Sequence, residues 1–168
     1  KKFNKYTVMD NVIEKNDVNL IMQEVKSALD TKQIEWTTDR HGYRSTVDLP
    51  IVYNPTYNMK QTKLPITVKI TNEILKEKIS NQFEKMYGFD KKDISYEEAF
   101  LIRYTPDTQD HLASHYDASP LSFVCALNDK DEYKGGGTKF DELDETVKLE
   151  KGECLAFSGQ QHHSGLPV

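Results

Sequence analysis

His115-Tyr116-Asp117 sets an imidazole and a carboxylate two residues apart, and two adjacent histidines follow far downstream in Gln160-Gln161-His162-His163-Ser164-Gly165-Leu166-Pro167-Val168. In an extended segment, residues two apart point to the same side, so His115 and Asp117 can grip one ion together. Two imidazoles and one carboxylate occupy one face of an octahedral Fe(II) and leave the opposite positions open for oxygen and a co-substrate. The second imidazole must be either His162 or His163, because neighbouring strand residues face opposite ways. The spacing is weak by itself. With five histidines and 14 aspartates in 168 residues, roughly 0.4 His-x-Asp pairs arise by chance, so a surface-turn ion pair is the competing explanation and the surroundings must decide.

Other candidate groups are blander. His41 and His111 have no partners in sequence and read as ordinary polar histidines, with His111 in the loop that leads to the pair. Gly135-Gly136-Gly137 lacks the Gly-Lys-Ser/Thr of a phosphate loop, so these glycines are architectural, letting the backbone turn tightly and pass near another strand. A zinc hydrolase is disfavoured, because no glutamate stands beside a histidine as a general base in the manner of His-Glu-x-x-His.

These side chains need a frame. A helix is predicted from about Asp17 to Leu29, capped by Asn16 or Asp17, with Leu20, Ile21, Val25 and Leu29 on one face. A second runs from about Asn72 to Met86, with Ile74, Leu75, Ile79, Phe83 and Met86 as its stripe and Gly88 as its stop. After Ser95 the pattern changes to strands over Ala99 to Tyr104, Leu121 to Leu127, Thr146 to Leu149 and Cys154 to Phe157. Helices first and strands afterwards predict an α+β arrangement, two helices backing a double-sheet β-sandwich. Trp36 to Lys63, with Pro50 and Pro55, reads as a long connection with short strands; residues 51–70 could be a lid, a dimer contact or plain surface.

Composition bounds the function. At 168 residues one domain is expected, 1–168. Charged residues make up 29% and hydrophobic ones 37%, and the net charge of −5 argues against a general nucleic-acid binder, which would show a basic face. An acidic protein suits a basic peptide substrate. No apolar run approaches the roughly 20 residues of a membrane span, and no signal-peptide pattern precedes Phe3. Cys125 and Cys154 are too few for a disulfide framework and are expected as buried free thiols. Asn54-Pro55-Thr56 is the excluded form of a glycosylation sequon.

Around the candidate site the matching features accumulate: Arg103-Tyr104, Pro106-Asp107 with Gln109, His115 and Asp117 with Ser119, Ala126-Leu127-Asn128, the glycine segment from Tyr133 to Phe140, and His163-x-Gly165-Leu166-Pro167. This stretch resembles the catalytic domain of Fe(II)/2-oxoglutarate-dependent dioxygenases, and among them the procollagen-lysyl hydroxylases. Upstream, Tyr43-Arg44-Ser45-Thr46-Val47-Asp48 looks like a short segment those enzymes carry. The resemblance is dense over residues 102–168, thin over 43–50 and architectural elsewhere.

The resemblance implies a double-stranded β-helix (jelly roll, cupin-like) backed by two or more N-terminal helices, with the metal inside one end. It selects His163, two residues before the glycine, over His162, so His115, Asp117 and His163 would hold Fe(II). Cofactors would be Fe(II), 2-oxoglutarate and ascorbate, the last restoring oxidised iron. Tyr104 would hydrogen-bond the keto acid or line the substrate slot, against a half-buried core role, and Arg103 would then face the other way. Asn128 would orient groups around the cofactor, or simply shape a turn. The far carboxylate of 2-oxoglutarate would pair with an Arg, which suits it as a bidentate donor, roughly ten residues past the distal histidine. The sequence ends five residues past His163, and Arg40, Arg44 and Arg103 do not sit there. The anchoring Arg, and a final C-terminal strand, are therefore expected beyond Val168. Implied partners are a lysine-containing collagen-like peptide or protein and a second copy in a homodimer; the implied compartment, following the animal enzymes, is the endoplasmic reticulum lumen, for which the residues carry no address. Alternatives are a prolyl or other peptide hydroxylase of the same superfamily, or a non-catalytic metal-binding β-sandwich recognition module.

Overall fold

The computed structural model describes residues 5–53 and 59–168. Asn54-Pro55-Thr56 and the middle of the 51–70 segment lie outside the described residues. The architecture is α+β, with antiparallel sheets, and the chain divides into two compact units, Lys15–Arg103 and the combination of Lys1–Glu14 with Tyr104–Val168.

In the unit Lys15–Arg103, α1 (Lys15–Asp30) buries Val18, Ile21, Val25 and Ala28; Leu20 and Leu29, expected at the centre of its stripe, are only half-buried. The second helical segment begins earlier than its periodicity predicted. It runs as α2 (Pro65–Ile74), one wide π turn (Leu75–Ile79) and α3 (Ser80–Tyr87). The missing local cap explains the difference. The first N–H groups of α2, at Ile66 and Thr67, donate to the Glu24 carboxylate of α1 at 2.9 and 2.7 Å. The stripe Ile74, Leu75, Ile79, Phe83 and Met86 is buried as expected, and Gly88 stops the helix with a left-handed φ of 78°. In the wide turn the Leu75 carbonyl accepts from Ser80 Oγ and Tyr96 OH, at 2.7 and 2.8 Å.

The same unit holds a three-stranded sheet. β2 (Asp48–Tyr53) lies between β3 (Met59–Lys60) and β4 (Glu98–Ile102). Strands thus interrupt the helices, contrary to the helices-then-strands order. Asp48, fully buried at the start of β2, accepts from Arg40 Nε at 2.5 Å, from Thr37 Oγ1 at 3.1 Å and from Thr46 Oγ1. Arg40 also pairs with Glu98, and His41 lies within 3.3 Å of both carboxylates. The Tyr43–Asp48 segment is therefore tied at its base while the Tyr43 ring is fully exposed.

In the other unit, β1 (Tyr6–Met9), unanticipated from sequence, pairs with β9 (Cys154–Ser158), which also pairs with β6 (Leu121–Cys125). The second sheet has the order β5 (Leu112–His115), β10 (His163–Gly165), β7 (Thr138–Phe140), β8 (Glu145–Val147). Phe140, Leu149, Leu155 and Phe157 form the buried cluster between the sheets, with Tyr6 packed against it. Among the described residues no helix is long and apolar enough to cross a membrane.

The cysteines correct an expectation. Cys125 and Cys154 are not free thiols but a disulfide, because the antiparallel register of β6 and β9 sets them directly opposite one another. The three glycines at 135–137 all have positive φ. A Cβ on Gly135 would overlap the Pro167 carbonyl, to which the Gly136 N–H donates at 2.8 Å. The glycine turn therefore clasps the chain just after β10.

Candidate metal centre

His115 ends β5 and His163 begins β10, and the two are cross-strand partners. Their rings meet with centroids 4.4 Å apart. Asp117 follows β5 by two residues, its N–H held by the Gly159 carbonyl at 2.7 Å. One ligand-type atom from each of His115, Asp117 and His163 lies within 4.8 Å of the others. His115 Nε2 is 3.3 Å from Asp117 Oδ1, and His163 Nε2 is 3.6 Å from Asp117 Oδ2.

The ring tautomers follow from the backbone. His115 Nδ1 is 2.8 Å from the Ala113 carbonyl and His163 Nδ1 is 2.8 Å from the Gln161 carbonyl. A carbonyl can only accept, so both Nδ1 atoms carry the proton and each neutral ring turns its Nε2 lone pair toward Asp117. Both Nε2 atoms point at one carboxylate. Two lone pairs aimed at an anion repel it unless a cation lies between, so the donor set fits a divalent ion. Burial pushes the His163 imidazole below its usual value, against the opposing pull of the Gln161 carbonyl and Asp117, which favours the neutral ligand form. Burial pushes the Asp117 carboxyl up, but its proximity to His115, the hydrogen bond from Ser122 and the nearby His163 hold it below the usual carboxylate value.

The surroundings are apolar on the protein side. The Phe157 ring meets His163 edge-on at 4.8 Å, and Phe140 lies at 6.3 Å. Tyr104 approaches the same strand: its hydroxyl is 3.2 Å from where a Cβ on Gly165 would stand. Gly165 and His163 share one face of β10, so the phenol and the imidazole lie along one side. Burial pushes the Tyr104 hydroxyl up to about 12, so it remains a donor at any ordinary pH.

The remaining candidates lie elsewhere. His162 is exposed and packs its ring against Tyr116 at 5.3 Å, opposite to His163. Asn128 is exposed, in a turn, its Nδ2 3.5 Å from Glu132; it lies past the end of β6 that carries Cys125, whereas Asp117 is held near the other end. His111 pairs with its neighbour Asp110, and Arg103 stacks on Trp36 at 4.8 Å. Sequence reasoning missed Ser122, whose Oγ–H donates to Asp117 Oδ2 at 2.6 Å, and Gly159. A hydroxyl five residues past the carboxylate carries no signal until β6 is known to fold back beside it.

No family model matches the chain. Over 101 residues, 58% of this chain, it is 36% identical to procollagen-lysine,2-oxoglutarate 5-dioxygenase 1 of Rattus norvegicus, of which it spans 14% of the length. A viral collagen prolyl hydroxylase from Paramecium bursaria Chlorella virus-1 shares its fold with a TM-score of 0.59 at 18% identity, covering 98% of this chain and 89% of that one. A Pseudomonas putida prolyl-4-hydroxylase does so with a TM-score of 0.64 at 15% identity, covering 97% and 85%. The chain is thus similar in sequence to lysyl hydroxylases and in fold to 2-oxoglutarate-dependent hydroxylases.

Proposed function

We propose that this chain carries an Fe(II)- and 2-oxoglutarate-dependent dioxygenase centre that hydroxylates a protein side chain, lysine in a collagen-like peptide. The observation behind the reading is the convergence of His115 Nε2, His163 Nε2 and an Asp117 carboxylate oxygen, with both Nδ1 atoms tied to backbone. Lysine is preferred over proline because the sequence relative, at 36% identity, is named for lysine, whereas the prolyl hydroxylases are alike in fold alone. The two facing sheets of the unit are read as a double-stranded β-helix, and 1–168 as part or all of one such catalytic domain.

Bound Fe(II) with 2-oxoglutarate supplies the oxygen activation. The chain's part is geometry and charge. His115, His163 and Asp117 would hold the ion. Neutral imidazoles with one carboxylate leave a divalent site one net positive charge, which attracts an anionic keto acid. Phe157 and Phe140 exclude water behind His163. The Tyr104 hydroxyl, kept protonated by burial, would donate to the keto acid. Asn128 is kept as a turn residue, since Glu132 already engages it.

The test is 2-oxoglutarate turnover to succinate by the protein, with Fe(II) and ascorbate, offered Gly-X-Lys or Gly-Pro-Pro peptides. Stimulation by the lysine peptide, with one oxygen added to lysine and loss in His163→Ala, is expected. Stimulation by the proline peptide alone would replace the substrate. Stoichiometric metal binding without turnover would favour a recognition module.

A further inference from the structure

Resting on the metal-binding reading above, we infer that Ser122 is a positioning residue of the centre, its hydroxyl fixing which oxygen of Asp117 is offered to the ion. Ser122 Oγ donates to Asp117 Oδ2 at 2.6 Å. The other oxygen, Oδ1, lies 3.3 Å from His115 Nε2, while Oδ2 faces His163 Nε2 at the longer distance of 3.6 Å.

A carboxylate free to turn can bind an ion through one oxygen or both. Chelation by both would take a fourth position, one that a facial triad must leave open for its co-substrate. A hydroxyl held on Oδ2 uses one of that oxygen's lone pairs and stops the rotation, so Oδ1 becomes the ligand atom. The rest of Asp117 is fixed separately. Its N–H donates to Gly159, and its carbonyl accepts from Gln160 Nε2 at 3.4 Å. Gly159 must lack a side chain there: a Cβ would overlap the Ser119 carbonyl and come within 2.9 Å of Ser122 Oγ and 3.0 Å of Asp117 Cβ. Backbone contacts set where Asp117 sits, and Ser122 sets how its carboxylate turns. The strand that carries Ser122 is itself locked to the site, since Ser122 pairs across the sheet with Phe157, whose ring packs on His163.

The experiment is Co(II) titration of the folded apoprotein, followed by calorimetry and by the visible absorption of the bound ion. Wild type is compared with Ser122→Ala, Ser122→Thr and Ser122→Val. Ser114→Ala serves as control, because Ser114 makes the same kind of bond to Asp141 on the exposed face. Ala and Val at 122 should weaken Co(II) roughly ten- to hundredfold and alter its absorption, with Thr within about threefold of wild type. The control should bind as wild type does. Thr and Val have the same shape and differ by the hydroxyl, so this pair decides the matter even if the Ala variant fails to fold. Equal affinity and spectrum in the Thr and Val variants would overturn the inference, whether both bind well or both bind poorly. A folded wild type that binds no Co(II) would overturn the metal reading itself, and this inference with it.

Discussion

At the scale of single residues, the site separates neighbours that look alike in sequence. His163 is buried and aims at Asp117, while His162 is exposed beside Tyr116. His163→Ala is expected to weaken Fe(II) or Co(II) by at least roughly a hundredfold. His162→Ala should stay within about twofold of wild type, as exposed side chains generally do; calorimetric titration of both variants checks the pair. Tyr104→Phe removes a donor without changing shape, and the loss of a hydrogen bond to a charged ligand should raise the 2-oxoglutarate KM roughly tenfold or more. Metal affinity should be unaffected, which distinguishes a keto-acid contact from a merely packed ring. That His115, Asp117 and His163 cluster could be expected from the sequence only because the motifs around the weak His-x-Asp spacing resemble a known family, which also favours His163 over His162. Ser122 and Gly159 were not legible there, because their importance arises from a fold that brings β6 and the chain after β9 against Asp117.

At the scale of elements, legibility stops where a partner distant in sequence supplies the missing piece. The stripe of the second helical segment could be read from its period, but its start could not. The cap of α2 is Glu24, 42 residues before Ile66. Glu24→Ala should therefore cost about 1 kcal/mol, the usual loss on removing an N-terminal cap, seen as a lower urea midpoint. Glu24→Gln, which keeps an acceptor oxygen, should recover part of it. The exposed Lys26–Asp30 pair on the same helix is the contrast, since removing it should leave the midpoint in place. β1, β7 and β10 span four, three and three residues, too short for alternation to announce them. Pairing defines them instead. The same holds for Cys125 and Cys154, whose union depends on a register invisible in their 29-residue separation.

At the scale of the whole molecule, composition pointed to one acidic domain and the order of elements to an α+β class; the contacts group the chain into two compact units. Trp36 is the sole tryptophan and lies in the unit Lys15–Arg103, so its fluorescence reports that unit. There Asp48 is fully buried. Burial pushes its carboxyl up, but hydrogen bonds from Thr46 and Arg40, the Arg40 charge and Thr37 outweigh this and hold it below the ordinary value. In the unfolded chain the group titrates near an ordinary Asp, about 3.9. Between that value and the lower folded one, the unfolded state binds more protons, so stability rises with pH. The contribution of Asp48 is therefore complete above about pH 4 and is lost as pH falls through the folded value. Asp48→Asn leaves Arg40 facing a neutral amide. It should cost about 3 kcal/mol at pH 7 and flatten the acid limb of the Trp36 transition, because the group that titrates differently in the two states is gone. An acid limb parallel to wild type would place the sensitivity in groups other than Asp48.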